Sequence, residues 1–273
     1  MLKVLPAWQD ALDSNLGEVE TVRRFAAAVA TQAGGIRVGN ARVAAFAGVV
    51  HQRTYVNFAG ISGRLVKREA GDLLLITGWR APGSSRIERR ALLLQAKLAK
   101  TAHQFVKVKA GGDQEQHHLY LNWPAIEYAW PDGMSRVRRL DVAEVGSATK
   151  YLLIPRGKPK VSPALLRGAT AIPGTLGGRQ LTNHADFMCE TLRMLFGMSG
   201  KDYDPTRSKD WDQFVTDMLS RVSPKDQPVI PPHAWLLRTL QTAAPFAEDE
   251  GVTVLRITVH ADGESWDDQL DYI

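Results

Sequence analysis

Three polar residues lie in or beside two apolar runs of strand length, and their types are those that hydrolytic metal sites use. Asp72 precedes the apolar run at residues 73–76, while Gln95 and Lys97 end the run that begins at Ala91. Residues two apart in a strand point to the same face, so Gln95 and Lys97 are expected on one side of the sheet. If the two runs pair as a hairpin, Asp72 lies near the end of the second strand that holds them. The sequence therefore predicts an acid, an amide oxygen and an amine converging at one edge of a sheet.

This set of residues suits the hydrolysis of phosphodiester bonds. A divalent cation can neutralise developing negative charge and lower the pKa of an attacking water. Mg²⁺ prefers hard oxygen ligands, which the Asp72 carboxylate and the Gln95 amide oxygen would supply. Lys97 beside the cation could orient or deprotonate the water, or stabilise negative charge on the phosphate.

The elements that must position these residues are predicted from hydrophobic periodicity and turn residues. Apolar residues recur at three- and four-residue spacing before Gly34-Gly35, which predicts a helix ahead of the motif. The polar segment at residues 80–85 predicts the turn between the motif strands. In chain order the sequence also predicts helices at 16–32, 113–121, 184–198, 211–222 and 234–240, strands at 41–50, 53–58, 125–130, 150–154 and 251–260, and a loop or boundary at 162–179. The strands 41–50 and 53–58 could form a hairpin or simply follow one another, and Asp113 is expected as the N-cap of its helix.

This order predicts an α/β protein with a mixed central sheet flanked by helices. A core is expected within residues 1–160, and residues 161–273 are expected as a C-terminal helical region with a late strand. That region could belong to the same domain or form a second lobe. The chain has 273 residues with 44% hydrophobic content, enough to bury a sizeable core.

Cysteine usage, hydropathy and charge narrow the class of protein. The single cysteine, Cys189, excludes an intrachain disulfide and indicates a reducing, cytoplasmic compartment, and its apolar neighbours predict a buried thiol. No apolar run reaches membrane-spanning length and the N-terminus lacks the apolar core of a signal peptide, so no membrane association is expected. A net charge of +5 favours a polyanionic partner. The basic residues concentrate at 86–90, 97–109, 136–139 and 150–160.

An aspartate followed by a strand, a turn and a strand that ends in Gln-x-Lys resembles the PD-(D/E)xK nuclease superfamily, which has the restriction-endonuclease-like fold. Asp72 matches the superfamily's metal-binding aspartate and Lys97 its catalytic lysine. Gln95 matches the Gln-x-Lys variant in place of the commoner glutamate. Gly71 stands where the superfamily's proline commonly precedes the aspartate. The resemblance covers residues 15–130.

The resemblance implies a restriction-endonuclease-like core and metal-dependent hydrolysis of phosphodiester bonds, principally in DNA, with Mg²⁺ or Mn²⁺ as cofactor. Asp72 and Gln95 would hold the metal, Lys97 would act on the water, and Glu20 in the preceding helix would complete the metal shell. The helix after the lysine strand would pack near the site and contribute a side chain such as Gln116. Contacts to nucleic acid are expected from Gln116, Tyr120, Lys100, Arg138 and Lys158.

By analogy alone, such a small nuclease resembles an effector of a bacterial restriction or anti-phage defence system. Such an effector could need a protein partner or an activating ligand. Cleavage of both strands of DNA would imply a homo-oligomer, since each site handles one strand.

Other functions remain open on the sequence. A non-catalytic nucleic-acid-binding or assembly subunit could retain the fold with a degenerate site, because Gln95 replaces an anionic ligand by a neutral one. A hydrolase of unrelated chemistry is a third candidate. Alternatively, Asp72 could cap a turn and Lys97 reach solvent from an exposed strand edge. The helix at 113–121 could then be a solvated helix that packs only its leucines inward.

Overall fold

The protein builds one large mixed sheet and a smaller antiparallel sheet, with helices packed against them, which confirms the predicted α/β class. The computed structural model describes residues 18–33, 37–38, 41–49, 54–82, 84–99, 106–107, 111–129, 136–140, 148–155, 169–173, 180–221 and 252–260. The predicted helix at 234–240 and the expected contact residues Lys100 and Lys158 lie outside these ranges.

The described ranges contain four helices and fourteen strands. The helices are α1 (Glu18–Ala33), α2 (Gly112–Asn122), α3 (Phe187–Leu195) and α4 (Asp210–Leu219). The strands are β1 (Arg37–Val38), β2 (Ala41–Val49), β3 (Tyr55–Ala59), β4 (Leu65–Glu69), β5 (Leu73–Arg80), β6 (Ile87–Ala99), β7 (Val106–Lys107), β8 (Ile126–Tyr128), β9 (Val137–Arg138), β10 (Thr149–Pro155), β11 (Ala169–Pro173), β12 (Gln180–Asp186), β13 (Lys201–Tyr203) and β14 (Thr253–His260). Of these helices, none combines the length and the apolar content that a bilayer crossing requires.

The large sheet has ten strands, in the order β1-β2-β14-β5-β6-β10-β11-β12-β7, with β13 pairing with β6 beside this path. Strand β14 runs parallel to β5 and β10 runs parallel to β6, while β5 and β6 are antiparallel. The hairpin of β5 and β6, called the motif hairpin below, carries Asp72 at its start and Gln95 and Lys97 in its second strand. The late strand β14 lies beside this hairpin, between β2 and β5, in the sheet that the N-terminal part of the chain also builds.

A second, antiparallel sheet has four strands in the order β4-β3-β8-β9. Strands β2 and β3 were predicted at 41–50 and 53–58 as a hairpin or as successive strands. They lie in different sheets, so the hairpin alternative is wrong. Strand β4 was not predicted, because the glycines at 60, 63 and 71 on either side of it are typical of turns.

Both faces of the motif hairpin are buried, which explains why its strands have continuous apolar runs. On one face Leu73 and Leu92 pack in a cluster with Val22 and Ala26 of α1. On the other face Leu74 and Leu93 pack in a second cluster. This second cluster also contains residues of the small sheet, α2 and α4, namely Phe58, Leu119, Trp211 and Phe214. Because side chains alternate along a strand, Asp72, Gln95 and Lys97 belong to the face that looks toward the small sheet and α2.

Two predicted segments in the C-terminal part differ from the structure. The helix predicted at 184–198 begins only at Phe187, because residues 180–186 form β12 and pair with β11. The segment 162–179, predicted as a loop, contains strand β11 between β10 and β12. The reason is the same for both: pairing with a neighbouring strand overrides the local preference of a segment rich in polar residues and glycine.

The prediction of a buried Cys189 thiol is wrong. Cys189 is exposed, whereas Phe187, Thr191 and Met194 of the same helix are buried. At 3.6 residues per turn, Cys189 lies about 200° around the helix from Phe187 and hence on the opposite side. The apolar neighbours in sequence therefore do not surround the thiol in space.

Candidate active site

The motif hairpin places Asp72 opposite Gln95. Strands β5 and β6 pair in antiparallel register with Leu73 opposite Leu94, so Asp72 lies one step beyond, beside Gln95. Two backbone hydrogen bonds fix the position of Asp72: its N–H donates to the Leu94 carbonyl at 2.9 Å, and its carbonyl accepts from the Thr253 N–H at 2.8 Å. Asp72 is therefore held between β6 and β14 at the start of β5.

The carboxylate of Asp72 is buried and receives two hydrogen bonds. Only 2% of the residue is exposed to solvent. The Ala96 N–H donates to Asp72 Oδ2 at 2.6 Å, and Gln95 Nε2 donates to the same oxygen. Asp72 and Gln95 therefore contact one another directly, as the sequence predicts.

The amide oxygen of Gln95 is a buried acceptor that lacks a donor. Gln95 is 7% exposed, and its Oε1 has no hydrogen-bond partner within the described part of the chain. The opposite orientation of the amide would put Oε1 against the Asp72 carboxylate, where two acceptors repel one another. A buried acceptor without a donor costs about 1–3 kcal/mol, so the site favours a donor or a cation at this oxygen.

Lys97 is held by an ion pair that the sequence did not predict. Lys97 Nζ lies 2.9 Å from Asp113 Oδ1, and the side chains are 21% and 33% exposed. Asp113 was predicted as the N-cap of α2, and that prediction is wrong. The N-cap is Gly111, so no side chain caps the helix, and Asp113 lies in the first turn. A carboxylate is favourable there because of the helix dipole, and Asp113 is also in position to pair with Lys97.

Gln95 and Lys97 line a cleft of about 580 Å³ between the two sheets and the N-terminal turn of α2. The cleft has both basic and acidic walls. Its lining residues are Tyr55, Lys67, Arg68, Glu69, Gln95, Lys97, Gly112, Asp113 and Gln116. The three cations among them make the cleft suitable for a phosphate-bearing ligand, while the carboxylates and amides add the oxygen atoms that hard cations prefer.

Glu69 is a carboxylate of this cleft that the sequence analysis did not single out. It ends strand β4, three residues before Asp72. The available signal was the position of Glu69, an acidic residue separated from Asp72 by only two residues. Since β4 itself was not recognised, the direction of its side chains could not be predicted.

Helix α2 turns Gln116 and Tyr120 toward the site and away from solvent. Gln116 lines the cleft, is 6% exposed, and has an Nε2 group for which the described residues provide no hydrogen-bond partner. Tyr120 donates its hydroxyl to the Ala70 carbonyl at 2.9 Å. Burial raises the pKa of Tyr120 well above its usual value, with smaller contributions from the charges of Asp72 and Glu69. Helix α2 is therefore not a solvated helix that packs only leucines.

Two expected nucleic-acid contacts are instead occupied inside the protein. Tyr120 is 2% exposed and bonded to Ala70, so it cannot reach a bound strand without rearrangement. Arg138 is 8% exposed and its guanidinium lies 2.7 Å from Asp217 Oδ2. Arg138 also donates to Gln213, so it joins β9 to α4 rather than offering a free cation.

Glu20 is not brought to the Asp72–Gln95 pair. Helix α1 packs on the face of the sheet that carries Leu73 and Leu92, opposite to the cleft. Glu20 accepts a hydrogen bond from Arg24 Nε at 2.9 Å on the surface of the helix. Within the residues that the structure describes, Glu20 does not line the cleft.

The oxygen donors at the hairpin are carboxylates and an amide. No cluster of three or more His, Cys, Asp or Glu side chains suited to a metal occurs in the described ranges. Asp72, Gln95 and the nearby Glu69 are nevertheless hard oxygen donors of the kind that Mg²⁺ and Mn²⁺ take. The unpartnered Gln95 Oε1 is an atom that a bound cation would satisfy.

Because Gly71 has no side chain, Leu93 and Tyr120 pack closely against its backbone beside the site. A Cβ atom at Gly71 would lie 2.8 Å from both Leu93 Cδ1 and Tyr120 Oη. We expect Gly71→Ala to lower the free energy of unfolding by about 1–3 kcal/mol through overpacking, measured by urea denaturation. Gly112→Ala is the control, because its Cβ would meet Arg68 only at 3.9 Å. Equal stability of Gly71→Ala and the wild type would contradict the prediction.

Comparison of the chain with protein-family models, with curated proteins and with solved structures finds no match.

Proposed function

We propose that the cleft is the active site of a metal-dependent nuclease of the restriction-endonuclease-like type, which hydrolyses phosphodiester bonds in DNA. One observation carries the proposal: the β5–β6 hairpin joins Asp72 to Gln95 by a buried hydrogen bond, while Lys97, two residues further on, lines the same cleft as Gln95. The resemblance to PD-(D/E)xK nucleases requires an acid, an amide and an amine in this order on one face of a sheet.

The residues of the cleft fit a divalent cation. Asp72 and Gln95 would hold Mg²⁺ or Mn²⁺ through oxygen atoms. The Ala96 N–H donates to Asp72 Oδ2 and thereby orients the carboxylate. When bound, the cation supplies charge neutralisation at the phosphate and lowers the pKa of an attacking water.

Lys97 would act on the phosphate or on the water with its ammonium group. Asp113 holds that group at the cleft wall, at 2.9 Å, and the pair is partly exposed. An ion pair of this kind is weak, at about 0–1 kcal/mol, so a phosphate entering the cleft can compete with Asp113 for Lys97. Lys67 and Arg68 on the facing wall would contact further phosphates of the strand.

Cleavage of supercoiled plasmid DNA by the full chain, with Mg²⁺, Mn²⁺ or EDTA, tests the proposal. We expect cleavage with either cation, no cleavage in EDTA, and a loss of at least about 100-fold in rate for Lys97→Ala, as for removal of a general acid or base. Lys201→Ala is the matched control, since Lys201 is a half-buried strand lysine that does not line the cleft. Unchanged cleavage by both Lys97→Ala and Asp72→Asn would contradict the site assignment.

A nucleic-acid-binding or assembly subunit is the second candidate function. Gln95 supplies a neutral ligand, and Lys97 is already paired with Asp113. The same assay distinguishes the candidates when it is combined with binding measurements at two salt concentrations. Salt-sensitive DNA binding by a wild type that does not cleave would favour the binding subunit.

A further inference from the structure

We propose that Glu69 is the second anionic ligand of the metal site and compensates for the neutral Gln95. This inference rests on the proposed nuclease function, because it assigns a residue to the cation which that reaction would use. It replaces Glu20, which lies on the opposite face of the sheet, by a carboxylate from the small sheet.

The chain tethers Glu69 close to Asp72. The two residues are three positions apart, where the backbone crosses from β4 of the small sheet to β5 of the large sheet. Three residues span at most about 10 Å even when fully extended. Hydrogen bonds fix the segment at both ends, since the Ala70 N–H donates to the Thr54 carbonyl at 2.9 Å and the Asp72 N–H donates to the Leu94 carbonyl at 2.9 Å.

Glu69 and Gln95 line the same cleft, although they come from different sheets. The buried Tyr120 hydroxyl donates to the carbonyl of Ala70, the residue after Glu69, at 2.9 Å. The segment that joins Glu69 to Asp72 is therefore held against α2 beside the hairpin.

An independent observation points to a cation at this place. Gln95 is 7% exposed, and its Oε1 finds no hydrogen-bond donor among the described residues. The adjacent Asp72 carboxylate has its Oδ2 engaged by the Ala96 N–H and by the other end of the same amide. A cation bound between the carboxylates would give Gln95 Oε1 the positive partner that it lacks.

The charge of a divalent cation also favours a second carboxylate at the site. Asp72 with a neutral Gln95 offers a single negative charge to a doubly charged ion. Asp113 lies at the cleft too, but it comes from α2 and holds Lys97, the residue proposed to act on the water or the phosphate, at 2.9 Å. Glu69 raises the ligand charge to two, which matches Mg²⁺ or Mn²⁺. Affinity for hard cations rises with the number of charged ligands.

Calorimetric titration of the full chain with Mn²⁺ alone tests the assignment without any cleavage assay. We expect Glu69→Gln to weaken the Kd for Mn²⁺ by at least about tenfold, since even outer-shell partners of metal ligands cost 10–100-fold when they are removed. Glu127→Gln should bind like the wild type. Glu127 is a half-buried glutamate in β8 of the same small sheet, and it does not line the cleft.

A charge exchange separates a metal ligand from a merely structural residue. The double variant Glu69→Gln/Gln95→Glu restores the charge of the site at the position where the superfamily commonly has glutamate, so we expect it to recover most of the lost Mn²⁺ affinity. A structural defect from the loss of Glu69 would not be rescued by Gln95→Glu. Urea denaturation of each variant confirms that the protein titrated is folded.

The outcomes distinguish the two proposals. Wild-type Mn²⁺ affinity in Glu69→Gln, or no Mn²⁺ binding by the wild type, would overturn the assignment of Glu69. If Lys97→Ala abolishes cleavage while Glu69→Gln keeps its affinity, the nuclease function stands and Glu69 is not a ligand. If Glu69→Gln loses Mn²⁺ affinity while the wild type cleaves no nucleic acid, the metal site stands without the nuclease function.

Discussion

Glu190→Gln is expected to lower the free energy of unfolding by about 3–5 kcal/mol, because it leaves a buried lysine without its counter-charge. Glu190 is fully buried, and its Oε1 lies 2.5 Å from Lys150 Nζ, which is itself in a residue only 4% exposed. The Ser199 hydroxyl accepts from Lys150 at 2.9 Å and donates to Glu190. The three side chains join β10, α3 and the segment after α3 on the face of the sheet opposite to the cleft.

The loss in Glu190→Gln should depend on pH in a defined direction. The pKa of Lys150 is lower than its usual value. Burial is the main cause and the charge of Arg193 adds to it, while the hydrogen bond and charge of Glu190 act in the opposite direction. Without Glu190, the pKa of Lys150 in the folded protein falls further below its unfolded value. The unfolded chain then binds more protons than the folded one between these two pKa values, so stability rises with pH in that window. The deficit of the variant should therefore shrink as the pH rises toward the unfolded pKa of lysine.

Urea denaturation at neutral and at mildly alkaline pH measures both effects. The double variant Lys150→Met/Glu190→Leu is the control, because an apolar pair of similar volume commonly replaces a buried ion pair without loss. We expect it to be more stable than Glu190→Gln alone. A single variant within about 0.5 kcal/mol of the wild type would show that the triad is not a buried charge pair.

Asp72→Ala is expected to lower the free energy of unfolding by about 2–6 kcal/mol, in addition to its effect on activity. The Ala96 N–H and the Gln95 amide both lose their acceptor, and each buried donor left unsatisfied costs about 1–3 kcal/mol. Asp72→Asn keeps one acceptor oxygen for the Ala96 N–H, so its loss should be smaller.

Lys97→Ala separates the chemistry of the site from its stability. The Lys97–Asp113 pair is partly exposed, so its removal should cost at most about 1 kcal/mol. Denaturation curves of Asp72→Ala, Asp72→Asn and Lys97→Ala should therefore rank in that order from least to most stable. Wild-type stability of Asp72→Ala would mean that the carboxylate does not hold the hairpin as described.

The motif hairpin was predictable because its determinants are local. Two apolar runs, with the polar turn at residues 80–85 between them, specify antiparallel neighbours. The period of two along a strand then places Gln95 and Lys97 on one face. Helix α1 was predictable for the same reason, since its apolar spacing and its glycine stop lie within a single segment.

Non-local packing decided where the prediction was wrong. The segment 162–179 is rich in glycine and proline and was predicted as a loop, but β11 forms within it because β10 and β12 pair with it on both sides. His184 lies in β12 rather than in a helix, because the same pairing extends to Asp186. Asp113 was expected to cap its own helix, yet it contacts a lysine 16 residues earlier in the chain.

The sequence by itself determined the α/β class, the hairpin and the convergence of Asp72 with Gln95, because strand period and turn position suffice for these. Only the tertiary structure decided which other side chains share the cleft. It placed Glu69 beside the site and Glu20 behind the sheet. The reason is physical: a strand's own residues specify which of them share a face, but the packing of a second sheet and a helix against that face depends on buried contacts between segments far apart in the chain.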